Sequence, residues 1–122
     1  FSIFRNNSPH RRIALKAVKH LNVHLSDLNN HLAEKKWIDG DTFSLADITW
    51  MVILHRLEEL QLIDKFLINK ENLMKYYSLL KERKSFTESI LNFNHPSVET
   101  GINRLKKEIL TNKNLKSFYS SI

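Results

Sequence analysis

The chain holds six histidines, three tyrosines and thirteen carboxylates, and no cysteine. Without Cys there is no thiolate nucleophile, no thiolate zinc site and no disulfide framework. His20, His24 and His31 share one stripe of a helical pattern, within about 40° of one another at about 100° per residue. A histidine pair at i, i+4 can bind a transition metal. No Asp, Glu or Cys stands on that stripe to complete a site, so the three read as flank histidines and no metal is expected. His55 has the right chemistry for a general base, but no Ser, Cys or Asp partner can be placed beside it, and a structural histidine is the better reading. Tyr76 and Tyr77 each carry a polar tip on an apolar body and could contact a ligand. Core packing with the hydroxyl at the surface is the stronger expectation. No Gly-rich phosphate loop, H-E-x-x-H or G-x-S-x-G is present. No catalytic residue is assigned in this chain.

The stretch that must position everything else is residues 37–57, WIDGDTFSLADITWMVILHRL. Ser44 supplies the side-chain oxygen an N-cap needs, and Asp47, three residues on, can reach back to the Ser44 N–H. Together they make a capping box with Asp in place of the commoner Glu. Phe43 and Ile48 occupy the two positions of a hydrophobic staple. From Ile48 to Leu54 every residue but Thr49 is apolar, and a helix apolar all round is normally buried all round. Loss of Ser44 or Asp47 is expected to cost roughly 1–2 kcal/mol.

Around that helix the chain reads as further helices. Ser8-Pro9 is an N-cap followed by a first helical position, and Ala14, Val18, Leu21, Leu25, Leu28 and Leu32 form one stripe of a helix expected to run to about residue 36. Residues 61–69 read as a linker. Asn69 is a plausible cap for a helix to about residue 82, with Leu73, Tyr76, Tyr77 and Leu80 on its inner face. Ser85 and Glu88 suggest a second capping box, SFTE. After His95-Pro96, Val98, Ile102, Leu105 and Ile109 mark another amphipathic helix. Asn112 and Asn114 break it, and a last short turn follows. With two Gly and two Pro in 122 residues, a turn-rich β fold is disfavoured. The expected class is all-α, an orthogonal or up-down bundle of five or six helices around a central helix over 44–60.

The net charge is +6. Along the sequence the cations come as scattered pairs such as Arg11-Arg12, Lys35-Lys36 and Lys106-Lys107, several of them suited to the last turns of helices. They read as solvated helix faces, and nucleic acid is not expected as a partner. No apolar run reaches the roughly 18 residues of a spanning helix, so no membrane partner is expected either.

The residues 37–48, with their aromatic-Ile-x-Gly turn running into Phe43-Ser44-Leu45-Ala46-Asp47-Ile48, resemble the C-terminal, all-helical domain of the glutathione S-transferase superfamily. Leu54-His55-Arg56-Leu57, Tyr76-Tyr77 and Arg83-Lys84-Ser85-Phe86 follow at the spacing of its ganglioside-induced differentiation-associated branch, although relatives commonly have Pro where this chain has Lys84. The resemblance implies a domain over 8–122, with residues 1–7 a remnant of an upstream segment. It also implies an N-terminal thioredoxin-like domain elsewhere in the parent, which would bind glutathione as co-substrate and supply the thiol-activating residue. This half would frame a hydrophobic pocket and a homodimer surface in a cytoplasmic protein, and would be inactive alone. Ser44 and Asp47 carry over as fold determinants. Phe1, Phe4, Tyr76 and Tyr77 form the expected hydrophobic-ligand or partner face. Two other readings stay open: a non-catalytic interaction module of the same fold, and an unrelated helical bundle that binds RNA electrostatically.

Overall fold

The computed structural model describes residues 8–93 and 95–122, the side chain of Phe93 excepted. Among these residues there are seven α-helices: α1 (Pro9–His31), α2 (Leu45–Glu59), α3 (Ile63–Leu67), α4 (Glu71–Glu82), α5 (Lys84–Ser89), α6 (Pro96–Thr111) and α7 (Lys113–Ser120), with a 3-10 turn over Leu91–Phe93. No strand occurs among the described residues, and the all-α class holds. The count exceeds the expected five or six because α3 lies in the stretch read as a linker.

Local chemistry sets the ends of these helices. The Ser8 hydroxyl accepts from the His10 N–H at 3.2 Å, with Pro9 behind it, so α1 starts where its lone pre-organised proline allows. It stops at His31, about a turn before the expected end near residue 36. The chain there enters a tight loop in which Trp37 and Gly40 exchange both backbone bonds, at 2.8 and 3.0 Å. Gly40 sits at φ +107°, a conformation that costs little only without a Cβ. The His31 ring nitrogen reaches the Ile38 carbonyl at 2.7 Å and ties the loop to the end of α1.

Two starts differ from expectation. α4 begins at Glu71 with Lys70, not Asn69, at the cap. Asn69 instead takes a left-handed φ of +61°, a conformation Asn tolerates better than most residues. The capping acceptor comes from another helix: Asn29 Oδ1 accepts from the Leu73 N–H at 2.9 Å. α5 begins at Lys84, so Ser85 lies inside the helix with its Oγ buried and unpaired, and the SFTE box does not form. Burial of Phe86 sets the helix phase, and a Lys84–Glu88 ion pair at 3.5 Å decorates the exposed side.

The principal core gathers Leu25, Leu28 and Leu32 of α1 and its end, Met51, Leu54 and Leu57 of α2, Phe66 and Leu67 of α3, Leu73, Tyr76, Tyr77 and Leu80 of α4, and Phe86 of α5. α2 is its axis, but not all of its surface is covered. Leu45, Ile48 and Val52, at 75%, 41% and 52% exposure, form an apolar stripe opposite the buried face. This corrects the expectation of burial all round. α3 and α4 pack against α2 on the side of Met51 and Leu54, and among the described residues the stripe on the other side stays exposed.

A second, smaller cluster joins Leu115, Phe118 and Tyr119 of α7 to Ala14 and Leu15 of α1, Leu62, and Leu105 and Ile109 of α6. Asn112 makes the hairpin. It ends α6, and its Oδ1 accepts from the Asn114 and Leu115 N–H groups at 3.1 and 3.2 Å to start α7. Arg11 bolts the hairpin to α1, its Nη2 donating to Ser121 Oγ at 3.0 Å and Ser117 Oγ at 3.3 Å while its guanidinium lies over the Phe118 ring. The Tyr119 hydroxyl donates to the Leu60 carbonyl at 2.7 Å.

Candidate functional site: the Asp47 clasp and its surroundings

Asp47 is fully buried at the head of α2. Oδ2 accepts from the Ser44 N–H at 2.9 Å, and Oδ1 accepts from the Ile38 N–H at 3.1 Å and from the Tyr76 hydroxyl at 2.7 Å. The Ser44 hydroxyl lies 3.4 Å from Oδ2. One carboxylate therefore binds the loop after α1, the start of α2 and the inner face of α4. A buried carboxylate without such donors costs several kcal/mol or loses its charge. Here three donors and the positive end of α2 support it.

The ring stack beside the clasp holds the same three segments. Phe43 meets Trp37 edge-on at 5.2 Å, Trp37 meets Tyr76 at 6.2 Å, and the Arg83 guanidinium lies 3.5 Å from the centre of the Phe43 ring and 5.5 Å from that of Trp37. Phe43 thus finds its partners in Trp37 and Arg83, whereas Ile48, its expected staple partner, belongs to the exposed stripe. Arg83 came from the motif that carried the family resemblance. Its stacking role has no counterpart in a helical repeat, because its ring partners lie some forty residues upstream.

Tyr76 and Tyr77 are 2% and 4% exposed. Their hydroxyls do not reach the surface: Tyr76 donates to Asp47 and Tyr77 to the Glu58 carboxylate. Burial, reinforced by the carboxylate that each hydroxyl serves, pushes both phenols well above their ordinary range, so they stay neutral donors at any physiological pH. In this chain neither presents a face to a ligand. Phe1 and Phe4, the rest of that expected face, lie outside the described residues.

His55 has a partner that the sequence reading missed. Its Nε2 lies 3.0 Å from Glu59 Oε1, while Arg56 reaches the other oxygen of Glu59 at 3.3 Å. The signal was present as an i, i+4 spacing on one helix. Phe86 closes over the imidazole edge-on at 5.4 Å. The arrangement ties α5 to α2. His20 and His24 are exposed on α1, His31 is engaged with the Ile38 carbonyl, and no group of three His, Cys, Asp or Glu side chains that could hold a metal occurs among the described residues.

A buried acidic clasp that starts a central helix, with an aromatic-Gly loop before it and an Arg-bearing helix junction after it, is a fold-determining arrangement without a reactive group of its own. The model of the glutathione S-transferase C-terminal domain matches residues 1–84. This chain belongs to that family. The match covers the clasp and α1 to α4, and α6 and α7 lie beyond it. A tetrachloro-p-hydroquinone reductive dehalogenase of Sphingobium chlorophenolicum is 41% identical over 66 residues, which is 54% of this chain and 26% of that protein. Glutathione S-transferase TCHQD of Arabidopsis thaliana is 30% identical over 71 residues, 58% of this chain and 27% of that protein. The matched segments thus span about a quarter of the length of these relatives. No solved structure matches significantly. No helix of this glutathione S-transferase C-terminal domain, among the described residues, is long and apolar enough to cross a membrane.

Proposed function

We propose that this domain is the helical half of a cytoplasmic, homodimeric, glutathione-dependent enzyme, framing its hydrophobic substrate pocket while a thioredoxin-like domain binds glutathione. Beyond the family match, one observation carries the reading. Leu45, Ile48 and Val52 stand exposed on the very helix around which the core is built. Single exposed apolar residues are ordinary, but a stripe of three on the central helix is a surface built to be covered. The thioredoxin-like domain, or a helix associated with it, is the cover we assign. Leu54–Leu57, Tyr76-Tyr77 and Arg83–Phe86 support placing it in the ganglioside-induced differentiation-associated branch. The reductive dehalogenase among the relatives named above turns the chemistry toward reduction.

In reductive removal of chloride from a halogenated quinol, a C–Cl bond becomes a C–H bond and chloride leaves. Two glutathione thiols supply the two electrons and join as a disulfide, and one of their two protons is released. Conjugation would instead leave one glutathione on the carbon as a thioether. Assays of the complete gene product and of this domain with glutathione and either tetrachlorohydroquinone or a chlorodinitrobenzene separate the cases. We expect chloride release matched by glutathione disulfide from the complete protein, and no turnover from the domain alone. Turnover by the domain, or a complete protein that neither binds nor consumes glutathione, would overturn the proposal.

A further inference from the structure

The positive charge that is scattered along the sequence is gathered in the fold. Residues 9–26 carry Arg11, Arg12, Lys16 and Lys19 and no carboxylate, and residues 95–122 carry five Lys and Arg against Glu99 and Glu108. Residues 27–94 hold nine Lys and Arg against eleven carboxylates. The whole positive excess of the described residues therefore belongs to two segments far apart in sequence, and these pack together through the α7 cluster and the Arg11 bolt.

Three hollows adjoin on this side of the molecule, of about 380, 360 and 390 Å³, and Lys65 of α3 lines all three. Lys70 lines the first, Lys106 and Lys116 the second, and Lys19 the third. No carboxylate lines any of them. Lys70 is the built element. It is 7% exposed, its Nζ donates to Asn22 Oδ1 at 2.8 Å, and burial alone lowers its proton affinity. A lysine ammonium has three donors and no acceptor, and among the described residues this one forms no salt bridge to a carboxylate. The remaining polar lining is of amides and hydroxyls, including Asn29, Gln61 and Ser120.

We infer that this trough seats the sugar–phosphate backbone of a single-stranded nucleic acid. Lys, Asn, Gln and Ser are the side chains that contact phosphate in such complexes. Three successive hollows of a few hundred Å³ suit consecutive nucleotides of a flexible strand, and the lack of carboxylates removes the repulsion that such a strand would otherwise meet. The exposed ring faces that would add base stacking are missing from the trough's lining, so the binding is electrostatic and tolerant of sequence. The inference does not depend on the glutathione reading, since it rests on the lysines and amides that line these hollows.

The test uses the 122-residue chain and a labelled twelve-nucleotide oligouridylate, followed by fluorescence anisotropy across salt. Five lysines at the backbone give a slope of log K against log salt of about −3.5, or roughly a hundredfold loss between 50 and 200 mM salt. Lys65→Glu combined with Lys19→Glu, both at exposed positions, should weaken binding at least tenfold with an unchanged thermal melt. Lys84→Glu, outside the trough, should leave binding within twofold. Equal affinity in the trough and control variants, a slope shallower than about −1, or equally tight binding of a labelled polyglutamate peptide would each overturn it. A deoxy-oligonucleotide bound as well as the ribo-oligonucleotide supports backbone recognition.

Discussion

Replacing Asp47 by Ala removes one side chain and strands three donors. The sequence alone suggests the loss of a single cap, worth roughly 1–2 kcal/mol. In the fold the same carboxylate also holds the Ile38 N–H and the Tyr76 hydroxyl, at a site fully closed to solvent. A buried donor left unpaired costs about 1–3 kcal/mol. With partial relaxation of the loop, the expected total is about 3–5 kcal/mol, a large share of the 5–15 kcal/mol that holds a typical domain together. For a chain of 122 residues this corresponds to a fall in Tm of roughly 10–20 °C, read by circular dichroism or calorimetry. Asp47→Asn keeps one acceptor but turns an amide N–H toward a donor, and should recover about half of the loss. Tyr76→Phe leaves the carboxylate with its two backbone donors and should cost about 1–2 kcal/mol. The same change made in the Asp47→Ala background should cost at least 1 kcal/mol less, because the two groups act through one bond. An Asp47→Ala domain melting within about 3 °C of the parent, or additive effects of the two substitutions, would refute the account of the clasp.

Alkaline stability follows from the tyrosines. Tyr76, Tyr77 and Tyr119 are all held protonated above the ordinary value of 10.0. Their contribution is complete below pH 10 and is lost above it, as the unfolded chain ionises first and the native state binds more protons. The slope is about 1.4 kcal/mol per pH unit for each tyrosine, and it should be shallower by one such step in Tyr77→Phe; urea midpoints at pH 9, 10 and 11 measure it. Lys70 acts in the opposite sense, because burial lowers its value below 10.5 and stability rises as it deprotonates, so Lys70→Met should stabilise the domain most at neutral pH and least above 10.5. Asn29→Ala removes the acceptor at the start of α4 and should cost about 1 kcal/mol in thermal melts, with no loss of helix content at low temperature.

What could be read before folding was what is local. The Ser44 and Asp47 positions, the Ser8-Pro9 start and the alternating stripe of α1 each lie within a turn or two of the residues they organise. The helical class and the place of α2 follow from them. The missed His55–Glu59 pair was local, but most misreadings come from packing and from partners distant in sequence. Asn69 looked like a cap, but the acceptor that matters is Asn29, 44 residues before the Leu73 N–H that it serves. Ser85 looked like a cap until burial of Phe86 fixed the phase of α5. Tyr76 and Tyr77 looked like amphipathic residues with wet tips because their acceptors, Asp47 and Glu58, belong to another helix. The stripe of Leu45, Ile48 and Val52 shows the same limit from the other side: composition reports that a surface is apolar, while its cover depends on which chain arrives to meet it. Charge behaves alike. Lys19 and Lys116 are about a hundred residues apart in sequence, and nothing local brings them to hollows that share Lys65. Asn112 turns the chain and Arg11 fastens it, and between them they convert dispersed pairs of cations into one basic trough.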